Sequence, residues 1–309
     1  MDDRKAIDGK AMGLMVVLCV VWGLQQVVFK AAAPDVAPVM LVALRSGIAA
    51  ILVWLLMLFR GERISFNDGT WRAGLLIGFL FALEYLLLGE GLRYTTASHS
   101  VVFLYTAPIF AGLGLHWKLP AERLHALQWA GILLAFTGIF IAFFWRSPQG
   151  ASPSLSNMMF GDFLAVLAAV SWGATTVVIR CSILAKSPVS QTLLYQLVGA
   201  FILLMLAAIG LGKTGFNPTP LALGSLFFQS VIMSFASLLV WFWLLRHYLA
   251  SRLGVFSFMT PLFGVTFGAV LLNEPIELSF LVGAILVLAG IVMVSGYGWF
   301  KQAKRTGAM

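Results

Sequence analysis

Glu84 is the only carboxylate in the apolar stretch Phe81-Ala82-Leu83-Glu84-Tyr85-Leu86. A charge at the centre of a membrane-spanning helix costs about 2.5–3.5 kcal/mol on insertion scales, so such a group either has a task or is neutralised by a partner. Its candidate tasks are binding an ammonium group, cycling a proton, or pairing with Arg45, a basic residue inside another apolar run. For Arg45 a structural reading is preferred, with the long side chain snorkelling or bonding a neighbouring helix end. His99, directly after Ala97-Ser98, joins Glu84 as a coupling candidate because imidazole titrates near neutrality.

Polar and aromatic residues three, four and seven positions apart share a helix face, and several apolar runs carry such a face. One run presents Trp22, Gln25, Gln26 and Phe29; another presents Trp172, Thr175 and Thr176; a third presents Ser230, Ser234, Ser237 and Trp241. Tyr85 neighbours Glu84, and Ser98, Tyr105, Thr106, Ser257 and Phe258 complete the inventory. Together these walls offer apolar area, π faces that attract a cation and a few orienting hydrogen bonds. For each residue taken singly, helix-helix glue or interfacial anchoring is an equally good account. The convergence of the faces favours a binding cavity.

The elements that must position these side chains follow from composition. Of 309 residues, 61% are hydrophobic and 10% charged, against roughly 25% charged in a soluble domain. A soluble globular protein and a disordered chain are both excluded. The net charge of +8 is spread between apolar runs, which argues against a nucleic-acid surface. Cys19 and Cys181 lie in apolar runs and read as small packed hydrophobes. A spanning helix needs about 20 mostly apolar residues, and ten such runs are predicted: 11–30, 36–58, 72–91, 97–117, 125–145, 160–180, 190–211, 221–244, 251–272 and 278–298. The expected class is an all-α integral membrane protein, with first-half spans in 1–146, a linker at 147–159, second-half spans in 160–298 and a tail at 299–309. Fifteen of the twenty Lys and Arg fall at the termini and even-numbered loops and four at the other side, which places both termini in the cytoplasm and the Gly150 loop outside.

The two halves repeat. Trp22-Gly23, with Lys30 seven residues beyond the glycine, returns as Trp172-Gly173 with Arg180. Ala97-Ser98 and Pro108 return as Ala250-Ser251 and Pro261; Glu122, Gly131 and Gly138 return as Glu274, Gly283 and Gly290. Matched constellations in the same order are an internal repeat. Five spans per half make it an inverted-topology repeat, which suits alternating access around a central site. Glu122 and Glu274 read as first-turn carboxylates of the helices that follow them. The spaced glycines, including Gly74 with Gly78 and Gly264 with Gly268, read as packing seams. Pro108 and Pro261 are hinge candidates, fixed kinks being the equal alternative.

On these residues (Trp-Gly in spans 1 and 6, Thr106-Ala107-Pro108 and Thr260-Pro261 in spans 4 and 9, and Glu with spaced glycines at spans 5 and 10) the chain resembles the EamA-type members of the drug/metabolite transporter superfamily over essentially its whole length. The resemblance implies a multi-pass protein of the bacterial cytoplasmic membrane, with a cavity lined by spans 1, 3, 4, 6, 8 and 9, that exports amino acids or related metabolites. The small four-span multidrug relatives carry an essential carboxylate in span 1; here none lies between Ala11 and Lys30, so their coupling chemistry does not carry over. The expected partners are a small-molecule substrate and the lipid bilayer. No phosphate-binding loop and no His/Cys/Asp cluster is present in the sequence, so neither a cofactor nor a metal is expected. An amino acid fits the inventory: ammonium to an aromatic face or Glu84, carboxylate to amide and hydroxyl donors. A sugar-phosphate or nucleotide-sugar exchanger is the alternative, and it lacks a cationic pair on the cavity helices. A channel or membrane-embedded enzyme is the alternative of another class.

Overall fold

The computed structural model describes residues 8–62, 69–120, 123–145, 154–248, 253 and 256–305, and among them the only regular structure is helical. In chain order the helices are α1 (Gly9–Ala32), α2 (Pro38–Phe59), α3 (Thr70–Gly91), α4 (Ala97–Leu104), α5 (Ala107–Lys118), α6 (Ala126–Phe144), α7 (Ser154–Cys181), α8 (Val189–Gly210), α9 (Pro220–Phe227), α10 (Ser237–His247), α11 (Met259–Leu271) and α12 (Leu278–Arg305). A π-helical segment, Phe228–Ala236, joins α9 to α10. Among the described residues, seven stretches are long and apolar enough to cross a membrane, with α4 and α5 counted as one and α9 through Trp241 as another. Three shorter apolar helices, Ala126–Ala142, Met259–Leu271 and Leu278–Val294, accompany them. Outward-facing Ile51, Trp54, Leu75, Phe79, Leu133, Phe140 and Leu206 are exposed, a surface that suits lipid and not water.

Local chemistry sets the helix starts. Asp8 caps α1 by accepting from Ala11 N at 2.8 Å, Thr96 caps α4 through His99 N, and Thr219 caps α9 through Ala222 N. Proline occupies the first turn of α2, α5 and α9, where its missing N–H costs nothing.

Glycine lets the helices approach. At Gly23 of α1 a Cβ would lie 2.9 Å from Gly264 N and Phe263 Cβ and 3.1 Å from Thr260 O. At Gly173 of α7 it would lie 2.9 Å from Ala111 N, 2.8 Å from Phe110 Cβ and 3.0 Å from Ala107 O. The three neighbours in the second contact are the same three as in the first, each 153 residues earlier. The seams read from sequence also form: Gly131 and Gly138 of α6 meet Gly290 and Gly283 of α12, and Gly74 and Gly78 of α3 meet Tyr195 and Gly199 of α8.

Several expectations are corrected. Residues 154–159, assigned to the linker, are the first turns of α7, because no glycine or proline interrupts 154–160 and Met158-Met159-Phe160 lead into its apolar run; the rest of the linker, with Gly150, lies outside the described residues, as do Glu122 and Ala250-Ser251. The fourth run, by contrast, shows the interruption that Pro108 leads one to expect: it forms two helices with the break at Tyr105-Thr106, because Pro108 cannot donate to the preceding turn. Cys181 is exposed at the end of α7, unlike the buried Cys19.

Candidate functional site

Two groups of interior polar side chains contain the predicted site residues that bond between helices. The first lies midway along α1, α2, α3 and the π segment. Gln25 donates from Nε2 to the Tyr85 hydroxyl at 3.1 Å, and Gln229 donates from Nε2 to the Gln25 carbonyl at 3.0 Å. Arg45 of α2 donates from Nη1 to Gln229 Oε1 at 3.4 Å, and its guanidinium lies 4.1 Å from the centre of the Tyr85 ring and 5.7 Å from that of Phe29. One turn along α1, Trp22 donates from Nε1 to Ser237 Oγ at 3.1 Å and meets Trp241 edge to face at 5.6 Å. Gln25, Gln26, Arg45, Glu84, Tyr85, Gln229 and Ser237 are all buried.

Glu84 is buried on α3, the residue before Tyr85. It does not close a hydrogen-bonded ion pair: Glu84 Oε2 and Arg45 Nε are each buried without a partner, as is Gln26 Oε1. Arg45 therefore corrects its sequence reading. At 1% exposure it does not snorkel, because it lies near the middle of α2 with aromatic rings stacked over its guanidinium. It also brings the second span into a cluster for which only spans 1, 3, 4, 6, 8 and 9 were expected.

Gln229 lies within the π segment and Ser237 directly after it. A π turn adds a residue to each ladder ring and widens the helix, a rare geometry concentrated at functional sites. Ser230 and Ser237 bond back to the carbonyls of Leu226 and Met233, which competes with the regular ladder.

The remaining predicted residues are placed less centrally. Tyr105 meets Trp172 edge to face at 5.6 Å, at the α4–α5 break. Phe258 occupies the equivalent break before α11, 153 residues on, and packs in an apolar cluster with Val101, Phe103 and Ile109. Thr175 and Thr176 bond back to Ser171 O and Trp172 O of their own helix. Pro108 is the second residue of α5 and Pro261 the third of α11, so both sit immediately after a break.

His99 belongs to the second polar region, at the end of the bundle opposite the start of α1. Its Nδ1 lies 3.0 Å from Asp162 Oδ2 of α7, its ring stacks on Phe280 at 3.8 Å, and the Thr95 hydroxyl donates to the same carboxylate. Asp162 is fully buried; sequence reasoning missed it, although an acidic residue within Phe160-Gly161-Asp162-Phe163 carries the same signal as Glu84. Nearby, Lys30 Nζ donates to the carbonyls of Leu92 and Thr95, both at 2.5 Å. Glu274 is not a first-turn carboxylate of its own helix. It caps α4 instead, accepting from Ala97 N at 2.6 Å and Ser98 N at 3.0 Å.

The comparisons with known proteins agree with this architecture. The EamA-like transporter family matches the chain twice, over residues 9–144 and 159–296. An uncharacterized transporter of Bacillus subtilis, YoaV, is 24% identical over 92% of this chain and 96% of its own length. A probable amino-acid metabolite efflux pump of Escherichia coli is 26% identical over 94% of this chain and 97% of its own. A solved structure described only as a protein crystal structure shares the fold, with a TM-score of 0.65 at 20% identity over 97% of this chain and 99% of that one. A double match spanning nearly every described helix, together with relatives aligned end to end, means that this chain belongs to the EamA-like transporter family.

Proposed function

We propose that the chain is a secondary carrier of ten membrane spans, built as two five-span halves inserted in opposite directions, that exports neutral amino acids, the larger apolar and aromatic ones included, by alternating access. The observation that carries this reading is the central cluster. Trp22 and Gln25 come from the first half, and Ser237, Trp241 and Gln229 from the second, so a ligand held there touches both moving parts. Support for the repeat comes from the matching contacts of Gly23 and Gly173, whose three neighbours are equivalent positions 153 residues apart. Support for the substrate class comes from aromatic faces beside buried amides and hydroxyls, and from the name of the Escherichia coli relative. The excess of basic residues on one side supports both termini in the cytoplasm of a bacterial inner-membrane protein. A phosphate-ester exchanger is disfavoured, since in the central cluster Arg45 is the one cation among the described residues and a phosphate dianion needs more compensation.

The experiment is flux into liposomes reconstituted with the purified chain. Saturable uptake of labelled neutral amino acids, accelerated by the same amino acid on the opposite side, is expected. Trp22→Ala or Trp172→Ala reduces it more than Lys30→Ala. Exchange of phosphate esters with indifference to every neutral amino acid would refute the assignment.

A further inference from the structure

We propose that the crevice between α2, α8 and α10 binds one anionic phospholipid, its phosphate at Arg60 and an acyl chain in the apolar trough beneath. The site goes beyond the transport reading and does not rest on the identity of the substrate. The crevice has a volume of about 320 Å³ and lies at the end of the bundle where α1 begins. Its polar lining residues sit at helix ends: Arg60 directly follows α2, Ser190 is the second residue of α8 and His247 the last of α10, with Glu62 two residues beyond Arg60. Its apolar ones lie deeper. Val53 is seven residues before Arg60 and Leu238 nine before His247, which at about 1.5 Å per residue places them roughly 10 and 13 Å below the mouth. Phe235 and Leu193 continue this apolar lining. One leaflet of hydrocarbon is about 15 Å deep, so the crevice runs through most of a leaflet with its polar end at headgroup level.

This crevice is separate from the central cluster. Leu238, Leu239 and Trp243 line it, whereas Ser237 and Trp241 of the same helix turn to Trp22 on another face. The charge at the mouth selects the headgroup. Arg60 stands loosely beside Glu62 at 4.0 Å, and Glu62 is already engaged by the Ser190 hydroxyl. Lys10 of α1 lies 4.9 Å over the Trp243 ring. With His247 neutral, the described residues at the mouth carry two cations and one carboxylate, an excess of one positive charge. The phosphodiester of phosphatidylglycerol carries one negative charge, and a guanidinium fork fits two of its oxygens. Phosphatidylethanolamine adds an ammonium, for which the described mouth has no second carboxylate, and inorganic phosphate leaves the trough unfilled. The α2 lining falls in one of the two family matches, 9–144, and the α8 and α10 lining in the other, 159–296, so a lipid seated here touches both halves of the chain.

The test titrates the delipidated full-length chain in detergent with dioleoyl phosphatidylglycerol, dioleoyl phosphatidylethanolamine or inorganic phosphate, and follows bound lipid by native mass spectrometry and the melting temperature. Phosphatidylglycerol is expected to saturate at one tightly held molecule per chain and to bind about fivefold more tightly than phosphatidylethanolamine, the factor that one basic residue at a membrane surface supplies. Arg60→Gln is expected to remove that preference while leaving phosphatidylethanolamine unchanged. Leu238→Trp, which narrows the trough, weakens both lipids alike. If Leu238→Trp does not fold, dihexanoyl phosphatidylglycerol on the unmodified protein replaces it, and its short chains are expected to bind more weakly than the dioleoyl lipid. Equal binding of the two headgroups, or a preference that survives Arg60→Gln, overturns the site. So does inorganic phosphate that competes as well as the lipid, which would make the mouth a soluble-anion site, or displacement of the lipid by phenylalanine, which would assign the trough to the transported solute. Each of the first three results leaves the proposed function standing, and a chain that transports no amino acid leaves the lipid site standing.

Discussion

The two ends of the bundle are closed by different chemistry. At the end opposite the start of α1, polar groups reach between elements and are bonded to one another. Lys30 of α1 holds the carbonyls after α3, Asp162 of α7 holds Thr95 and His99, Glu274 holds the first turn of α4, and Lys213 meets Glu90 at 2.6 Å. At the end where α1 begins, Asp8 meets Tyr248, Thr70 meets Tyr195 and Ser190 meets Glu62. There a pocket of about 320 Å³ opens between α2, α8 and α10, lined among others by Val53, Arg60, Glu62, Phe235 and Trp243. Between the ends, α6 and α12 meet along an apolar glycine seam. The difference teaches which contacts can be remade. An apolar seam has no alternative partners and stays closed, whereas carboxylates, an imidazole and an ammonium can exchange protein partners for water when an end opens. On the orientation proposed above, the bonded end faces outside and the end with the pocket faces the cytoplasm.

Asp162→Ala is expected to break the bonded end most severely. It removes the partner of both His99 and Thr95 from a fully buried position, and breaking a buried pair costs about 3–5 kcal/mol because the remaining group stays buried. Thermal unfolding in detergent is the measurement, and a melting temperature equal to the parent's would show that the pair contributes nothing to closure. Asp162→Asn, which keeps the shape and an acceptor for Thr95, is expected to lose less.

Glycines sharpen the comparison at lower cost. Gly161 of α7 lies against the α3–α4 connection, where a Cβ would come 2.8 Å from Gly91 O and Thr95 N. Those neighbours are backbone, so Gly161→Ala must push α7 away and is expected to cost about 1–3 kcal/mol, the usual range for overpacking. Gly13 of α1 has nothing within 4 Å, so Gly13→Ala is expected to be neutral or to gain up to about 1 kcal/mol from reduced chain entropy. Equal melting temperatures for the two variants would mean that the bonded end is not closely packed.

Much of this frame is legible in the sequence, for a physical reason: glycine, proline and Trp-Gly pairs report backbone approach and breaks directly. The positions of the Gly131/Gly138 seam and of the breaks next to Pro108 and Pro261 could be read that way. Side-chain partnerships across helices could not. Arg45 has the composition of a snorkelling residue, and only its place opposite Tyr85 and Gln229 shows that it points inward. Asp162 becomes visible as a partner only once α7 lies against the start of α4. Glu274 sits just before a helix and so invites a capping role there, yet the amides it satisfies belong to another helix. The π segment has no glycine or proline in Phe228–Ala236 to announce it, and its widening is the summed effect of serine back-bonds and neighbours.

The smallest effect concerns the tie between exposed Asp8, at the start of α1, and buried Tyr248, and pH isolates it. Asp8 accepts from Ala11 N at 2.8 Å and from the Tyr248 hydroxyl at 2.9 Å, which hold its carboxyl below the ordinary value. A group whose pKa is lowered by folding lends stability above its unfolded value, near pH 4, and that stability is lost as pH falls through the lowered folded value. The same bond raises the Tyr248 phenol, so its share is present below about pH 10 and is lost as pH rises through the raised value. Tyr248→Phe removes the shared hydrogen bond and leaves the Ala11 cap. It is expected to shrink the acid-side loss of melting temperature between about pH 5 and pH 3 without changing the melting temperature difference produced by Asp162→Ala at neutral pH. The two sites lie at opposite ends and share no partner. If Tyr248→Phe alters the cost of Asp162→Ala, the ends are coupled in the resting protein, and closure at one end is already felt at the other.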